Sequence, residues 1–270
     1  MSDPTIVVEQ DGAVALIRFN RPDKANALNA DMWRELKAAL EWCDQTPQVR
    51  AVVLSGEGRH FCSGIDLAML MGVQSAIDDA CEGRKREKLR AMILDLQSCV
   101  SSLERCSKPV LAAITGSCLG GGLDIALAAD FRYASQDAKF GVREVEIGMV
   151  ADVGTLQRLP RVVGEGVARE MALTGRDVDA SEALACRLVN RLLPDAVNLQ
   201  AAALDTARAL AAKSPLALRG IKQVLNFSRD HSIADGLEYV ATWNAAMLVS
   251  EDIQKAGMAV MTRTSAEFRD

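Results

Sequence analysis

Apolar positions change their spacing repeatedly along the first half of the chain, and each change predicts a new element. IVVEQ (6–10) and AVALIRFN (13–20) are strand-like runs on either side of Asp11-Gly12, a dipeptide that favours a tight hairpin turn. NRPDKANAL (20–28) is a polar loop. From Asn29 to Cys43 the apolar positions Met32, Leu36, Leu40 and Cys43 recur at helical steps. AVVLSG (51–56) predicts a buried strand, and HFCSGIDL (60–67) a small-residue loop leading into a helix. A long polar helix, with charges at 82–90, extends to Cys106 before Pro109 restarts the chain as a strand over Val110–Ile114. DFRYAS and AKFGV predict two more short strands. Beyond Asp152 nearly everything reads as helix, punctuated by Pro160, Pro194 and Pro215.

Alternating strands and helices followed by helices alone imply an α/β core over 1–195 with a helical C-terminal region over 196–270. Lys213–Leu225 and Gly236–Met261 carry amphipathic stripes with Trp243 and several Met, the pattern of a core or subunit interface. A chain of 270 residues, 49% hydrophobic and 25% charged, can bury a sizeable core. Its net charge of −5 argues against a nucleic-acid or anionic-membrane surface.

The chemistry concentrates between Ser117 and Asp152. Gly120, Gly121 and Gly122 stand where a strand hands over to a helix, so backbone N–H groups there can approach a ligand closely, as an oxyanion site requires. Asp124 follows among Leu123, Ile125, Ala126, Leu127 and Ala128, with no basic residue between Lys108 and Arg132. A carboxyl in such company is paired, hydrogen-bonded or shifted toward its neutral form. Glu144 and Asp152 complete a set of three acids in largely apolar surroundings. The same stretch includes a run of 21 residues, 109–129, with one formal charge. Its Gly and small polar residues, and the Asp within it, fit a buried strand, turn and helix better than a membrane span.

Each candidate has a structural reading beside the chemical one. Asp152 precedes VGTLQRL and could be a helix N-cap. Glu144 lies beside Arg143 and Glu146 as a solvated charge would, and Asp124 could serve a structural hydrogen bond. Ser63, Gly64 and Asp66 could shape a turn, and Lys24 could be an exposed loop lysine.

Seven cysteines without a CxxC pair, and an opening MSDPTIVVEQ with neither a basic nor an apolar signal region, predict a reduced, cytoplasmic protein. AEFRD carries no peroxisomal tripeptide. His60 and His231 lack companions at ligand spacing, so no metal site is expected.

NRPDKANAL, HFCSGIDLAML, KPVLAAITGSCLGGGLDIALAAD, FGVREVEIGMVADVGTLQRLP and SPLALRGIKQVL occur in the order seen in the enoyl-CoA hydratase/isomerase (crotonase) superfamily, which the chain resembles from about residue 5 to 262. Within it, SGIDL, Asp124 in place of a hydratase Glu, and Asp152 in VADVG are most similar to the Δ3,5-Δ2,4-dienoyl-CoA isomerase branch. SCVSSLERCSKP, SRDHS and YVATWNAAML share that likeness.

The resemblance implies an α/β fold, a crotonase-like spiral of ββα units, with C-terminal helices that assemble a homotrimer or a hexamer built as a dimer of trimers. It implies shifting of a 3,5-dienoyl-CoA to its 2,4-isomer in unsaturated fatty acid oxidation. The N–H groups of Ile65 and Gly121 would form the oxyanion hole that holds the thioester oxygen of a dienolate. Glu144 would exchange a proton with carbon 2, Asp152 would deliver one to carbon 6, and Asp124 would tune both. One acid must start ionised and the other protonated, an assignment that residue order leaves open. Ser63, Gly64, Ile65, Asp66, Leu67 and Gly121 would line the acyl-CoA channel, with Lys24 at the coenzyme A phosphates. No cofactor is expected, coenzyme A being part of the substrate, and no nucleic-acid or membrane partner. The alternatives are an enoyl-CoA hydratase, using Asp124 with Glu144 to position water, and a non-catalytic acyl-CoA or RNA-binding member of the fold.

Overall fold

A hairpin opens the fold as Asp11-Gly12 predicts: β1 (Ile6–Asp11) and β2 (Val14–Phe19) pair antiparallel, with Asp11 opposite Val14. The computed structural model describes residues 4–270. Helix α1 (Ala30–Gln45) starts where the Asn29 side chain accepts the Met32 N–H at 2.9 Å, and it buries Met32, Leu36, Leu40 and Cys43, the positions that carried its pattern. There follow β3 (Ala51–Gly56), α2 (Leu67–Ala76), α3 (Glu82–Arg105), β4 (Val110–Ile114), β5 (Ser117–Leu119), α4 (Gly121–Ala128), β6 (Phe131–Ser135) and β7 (Lys139–Gly141). The chain continues through α5 (Thr155–Val163), α6 (Glu165–Thr174), β8 (Val178–Asp179), α7 (Ala180–Ala185), β9 (Arg191–Leu193), α8 (Ala196–Ala211), α9 (Pro215–Arg229), α10 (Ile233–Met247) and α11 (Glu251–Thr262).

Six strands form the main sheet in the order β1-β2-β3-β4-β6-β9, parallel except for the opening hairpin. A second, three-stranded sheet joins β5, β7 and β8. Successive β-β-α steps thus wind as the predicted spiral. The main sheet is covered on both faces, which is why β3 and β4 read as unbroken apolar runs rather than alternating ones. Val52, Leu54, Val110, Ala112 and Ile114 face the large core shared with α1, α3 and α4. Ala51, Val53, Leu111 and Ala113 face a second core, closed by Leu199, Ala203, Ala207 and Ala211 on one side of α8. Helix α8 therefore packs directly on the sheet, although it begins at the boundary drawn after residue 195.

Three short strands were not expected. β5 stands between β4 and the glycines, and β8 and β9 interrupt the region read as helical. Each has three residues or fewer, too short to show a period, and each is held by pairing with a distant strand. No described helix is long and apolar enough to cross a membrane. The run 109–129 is instead β4, β5 and α4.

Candidate active site

Two loops meet to form the centre of the site. Asn26, fully buried and left-handed at φ 55°, donates from Nδ2 to the Glu57 and His60 carbonyls at 3.0 and 2.7 Å and accepts the Arg21 N–H at 2.8 Å. This network holds the 20–28 loop against the 57–65 loop. Leu28 then bridges Ile65 in parallel, with the Leu28 N–H on the Gly64 carbonyl at 2.8 Å and the Asp66 N–H on the Leu28 carbonyl at 3.0 Å. Strand geometry turns the Ile65 N–H the other way.

The glycines supply the second donor. Gly121 is the first residue of α4, so its N–H has no partner within the helix. Gly64 (φ 102°) and Gly120 (φ 49°) adopt backbone angles that other residues rarely reach. They also lie side by side: a Cβ on Gly64 would fall 3.1 Å from the Leu119 carbonyl oxygen, and one on Gly120 would fall 3.3 Å from Glu144 Oε1. Neither the Ile65 nor the Gly121 N–H donates to a protein acceptor among the described residues. The two free donors and the Glu144 carboxyl thus flank one point, the contact of Gly64 with Gly120.

That point lies in a cavity of about 800 Å³. The structure brings Lys24, Ser63, Gly64, Ile65, Asp66, Leu67, Gly121, Glu144 and Asp152 together on its wall. Asp124 is the exception. It is fully buried and does not line the cavity; its Oδ1 accepts the Thr155 N–H at 2.5 Å, across from the first turn of α5. The capping function considered for Asp152 is therefore performed by Asp124 from another helix. The residue preceding α5 is Gly154, without a side-chain cap, and Asp152 is left to the cavity. Asp66 does cap α2, accepting the Ala68 N–H at 2.9 Å, and pairs with Arg21 at 2.9 Å. The Arg21 hydrogen bond holds its carboxyl below the usual range.

The other three acids are displaced upward. Burial pushes Asp124 from 3.8 to about 7, with the Glu144 charge adding to the rise. Burial also raises Glu144, and the Asp152 charge adds to it; burial alone raises Asp152. Asp124 Oδ2 and Glu144 Oε2 are buried without a hydrogen-bond partner among the described residues. Glu144 sits in a short 3₁₀ turn, Glu144–Ile147, and its neighbour Arg143 pairs with Glu146 and Asp177 instead.

The sequence reading missed Asn26, Arg21 and most of the apolar wall. Leu89, Met92, Ile93 and Leu96 of α3 line the cavity, as do Leu70, Val73, Met149 and Val150. Their signal was present as an apolar i, i+3, i+4, i+7 stripe at 89–96, hidden beside the charges that made α3 read as polar.

A site of two free N–H donors, half-buried acids and an apolar tunnel on a ββα spiral matches a known family. The family model described as enoyl-CoA hydratase/isomerase matches residues 9–270, and the chain belongs to that family. Among curated relatives, the peroxisomal Δ3,5-Δ2,4-dienoyl-CoA isomerase of Arabidopsis thaliana is 44% identical over 259 residues, covering 96% of this chain and 93% of the relative. The mitochondrial Δ3,5-Δ2,4-dienoyl-CoA isomerase of Homo sapiens is 44% identical over 246 residues, covering 90% and 74%. The solved structure of a putative enoyl-CoA hydratase from Streptomyces coelicolor A3(2) superposes with a TM-score of 0.90 at 32% identity, covering 98% of this chain and 94% of that one.

These relatives correct the cytoplasmic expectation, since their names place them in the peroxisome and the mitochondrion. The seven cysteines are free and give no address.

Proposed function

We propose that the protein is a Δ3,5-Δ2,4-dienoyl-CoA isomerase working by two-acid proton transfer. The observation that carries this reading is that Glu144 and Asp152 share the wall of one apolar cavity with the free Ile65 and Gly121 donors. The thioester oxygen accepts those two N–H groups, and ionised Glu144 takes a proton from carbon 2. Negative charge moves onto the oxygen as the conjugated enolate forms, and correctly placed donors contribute roughly 3 kcal/mol each there. Protonated Asp152 then gives its proton to carbon 6, the remaining double bonds shift inward, and the carbonyl re-forms. Repulsion between the two carboxylates in an apolar site favours a state in which one carries the proton and the other does not. Asp124 acts from beneath, holding the start of α5 through the Thr155 N–H.

Hydration has less support. The acid pair expected for it, Asp124 with Glu144, is not assembled at the cavity, because Asp124 is turned to Thr155. The reaction requires no separate cofactor, because coenzyme A is part of the substrate. Exposed Lys24 at the cavity is the candidate contact for the coenzyme A phosphates. Assembly as a trimer or dimer of trimers belongs to the same reading. Its support is the 56–84% exposure of Ile221, Leu225, Ile233, Leu237, Val260 and Met261 on the last three helices.

The test is to incubate the purified protein with a 3,5-dienoyl-CoA and, in parallel, a 2-enoyl-CoA. Rapid growth of conjugated-dienoyl absorbance with the first and little change with the second is expected. Loss of enoyl absorbance with the second alone would make it a hydratase, and no change with either would leave a binding protein.

A further inference from the structure

The isomerase reading carries a consequence for the proton balance. In each turnover a C2–H bond breaks and its proton passes to Glu144, while the Asp152 O–H bond breaks and its proton passes to carbon 6. Product and substrate are isomers, yet the enzyme is left with Glu144 protonated and Asp152 ionised. Before the next turnover Glu144 must lose a proton and Asp152 must gain one.

A second cavity, of about 440 Å³, lies on the other side of Asp152 and Val153, which line both spaces. The two cavities differ in character. The acyl cavity around Asp152 is walled by Met92, Ile93, Leu96, Ile147, Met149 and Val150. The second is walled by Gln97, Ser101, Gln157 and Arg158, and its rim is formed by exposed Arg161, Arg229 and Asp230. Gln97 Nε2 donates to the Asp152 carbonyl at 2.7 Å, fixing the residue in the partition. Arg158 is neutralised by a two-pronged pair with Glu104 at 3.0 and 2.6 Å, and Arg229 pairs with the same carboxylate. Arg161 and Arg229 also share Asp230, so each arginine of the cavity has a carboxylate partner, and the polar lining suits water.

We propose that this polar cavity is the proton-exchange route of Asp152, which reloads it from solvent while the acyl chain fills the apolar side, with Gln97 as a positioning residue in the partition. Water supplies the proton to Asp152, Glu144 releases one to water, and no other reactant is needed.

The experiment follows the reaction in deuterium oxide through many turnovers and locates the label by NMR and mass spectrometry. Close to one deuterium at carbon 6 in every product molecule is expected. Product that carries protium from carbon 2 at carbon 6 after the first turnover would show direct return between the acids and overturn the proposal. Two variants then test the route, Gln97→Leu and, away from Asp152's own hydrogen bond, Ser101→Phe. Each is expected to lower steady-state turnover about tenfold while the first-turnover rate stays near wild type, and added imidazole buffer should restore turnover. Steady-state rates equal to wild type in both variants, or equal losses of first and later turnovers without buffer rescue, would overturn it. Absence of any conjugated product in the wild type would instead remove the isomerase reading itself, and this route with it.

Discussion

Glu144 and Glu104 are the same residue type, both largely withdrawn from water, and their carboxyls are displaced in opposite directions. Glu104 sits where α3, α5 and α9 meet, with 15% of its side chain exposed. Burial there pushes its carboxyl up, but the hydrogen bond and charge of Arg158, joined by those of Arg229, outweigh it and hold the group below the usual range. Glu144 meets burial and the charge of Asp152, with no cation paired to it among the described residues, and its carboxyl rises. Burial sets the scale of the effect; the presence or absence of a cation sets its sign. A paired carboxylate fastens helices together, whereas an unpaired one at a cavity wall, with its carboxyl raised, is available to exchange a proton with a substrate.

The sharpest way to break this contrast is to remove the unpaired acid. Glu144→Gln is expected to reduce turnover by about 10² to 10⁴, measured by conjugated-dienoyl absorbance, with acyl-CoA affinity near wild type. The paired acid should behave in the opposite manner. Glu104→Ala strands Arg158, while Arg229 keeps Asp230, and should cost about 3 kcal/mol of stability in denaturant unfolding.

Asp124 sharpens the comparison through pH. Its native pKa of about 7 lies above its ordinary 3.8, so the folded state holds a proton that the unfolded chain releases in that window. The contribution is fully favourable below the lower value and is lost as pH rises through about 7. Asp124→Asn keeps an acceptor for the Thr155 N–H and removes the titration. The melting temperature of the variant should therefore fall less than that of the wild type between pH 4 and pH 8. The smallest effect concerns Asp152. Because Gly154 rather than Asp152 is the residue preceding α5, Asp152→Ala should shift stability by no more than about 0.5 kcal/mol, where loss of a cap costs about 1.

Much of this was legible beforehand because it rests on local rules. The hairpin at Asp11-Gly12, the apolar face of α1 and the glycine turn before Asp124 follow from turn preference, helical period and the backbone freedom of glycine. That Asp124 and not Asp152 caps α5 has a reason that local rules do not contain. The first turn of α5 is capped by a side chain 31 residues away in sequence, which only the packing of α4 against α5 brings near. β9 has three residues and exists because β6 offers it an edge. The apolar wall contributed by α3 was written in the sequence at Leu89, Met92, Ile93 and Leu96, but charges on the same turns masked it.

The division of labour between the two acids is open to direct observation. Wild type, Glu144→Gln and Asp152→Asn would each be mixed with 3,5-dienoyl-CoA in deuterium oxide, with exchange at carbon 2 followed by NMR and the double-bond shift by absorbance. Asp152→Asn should still exchange the carbon 2 proton while forming almost no 2,4-isomer, and Glu144→Gln should do neither. An Asp152→Asn enzyme that isomerises at the wild-type rate would contradict the two-acid mechanism.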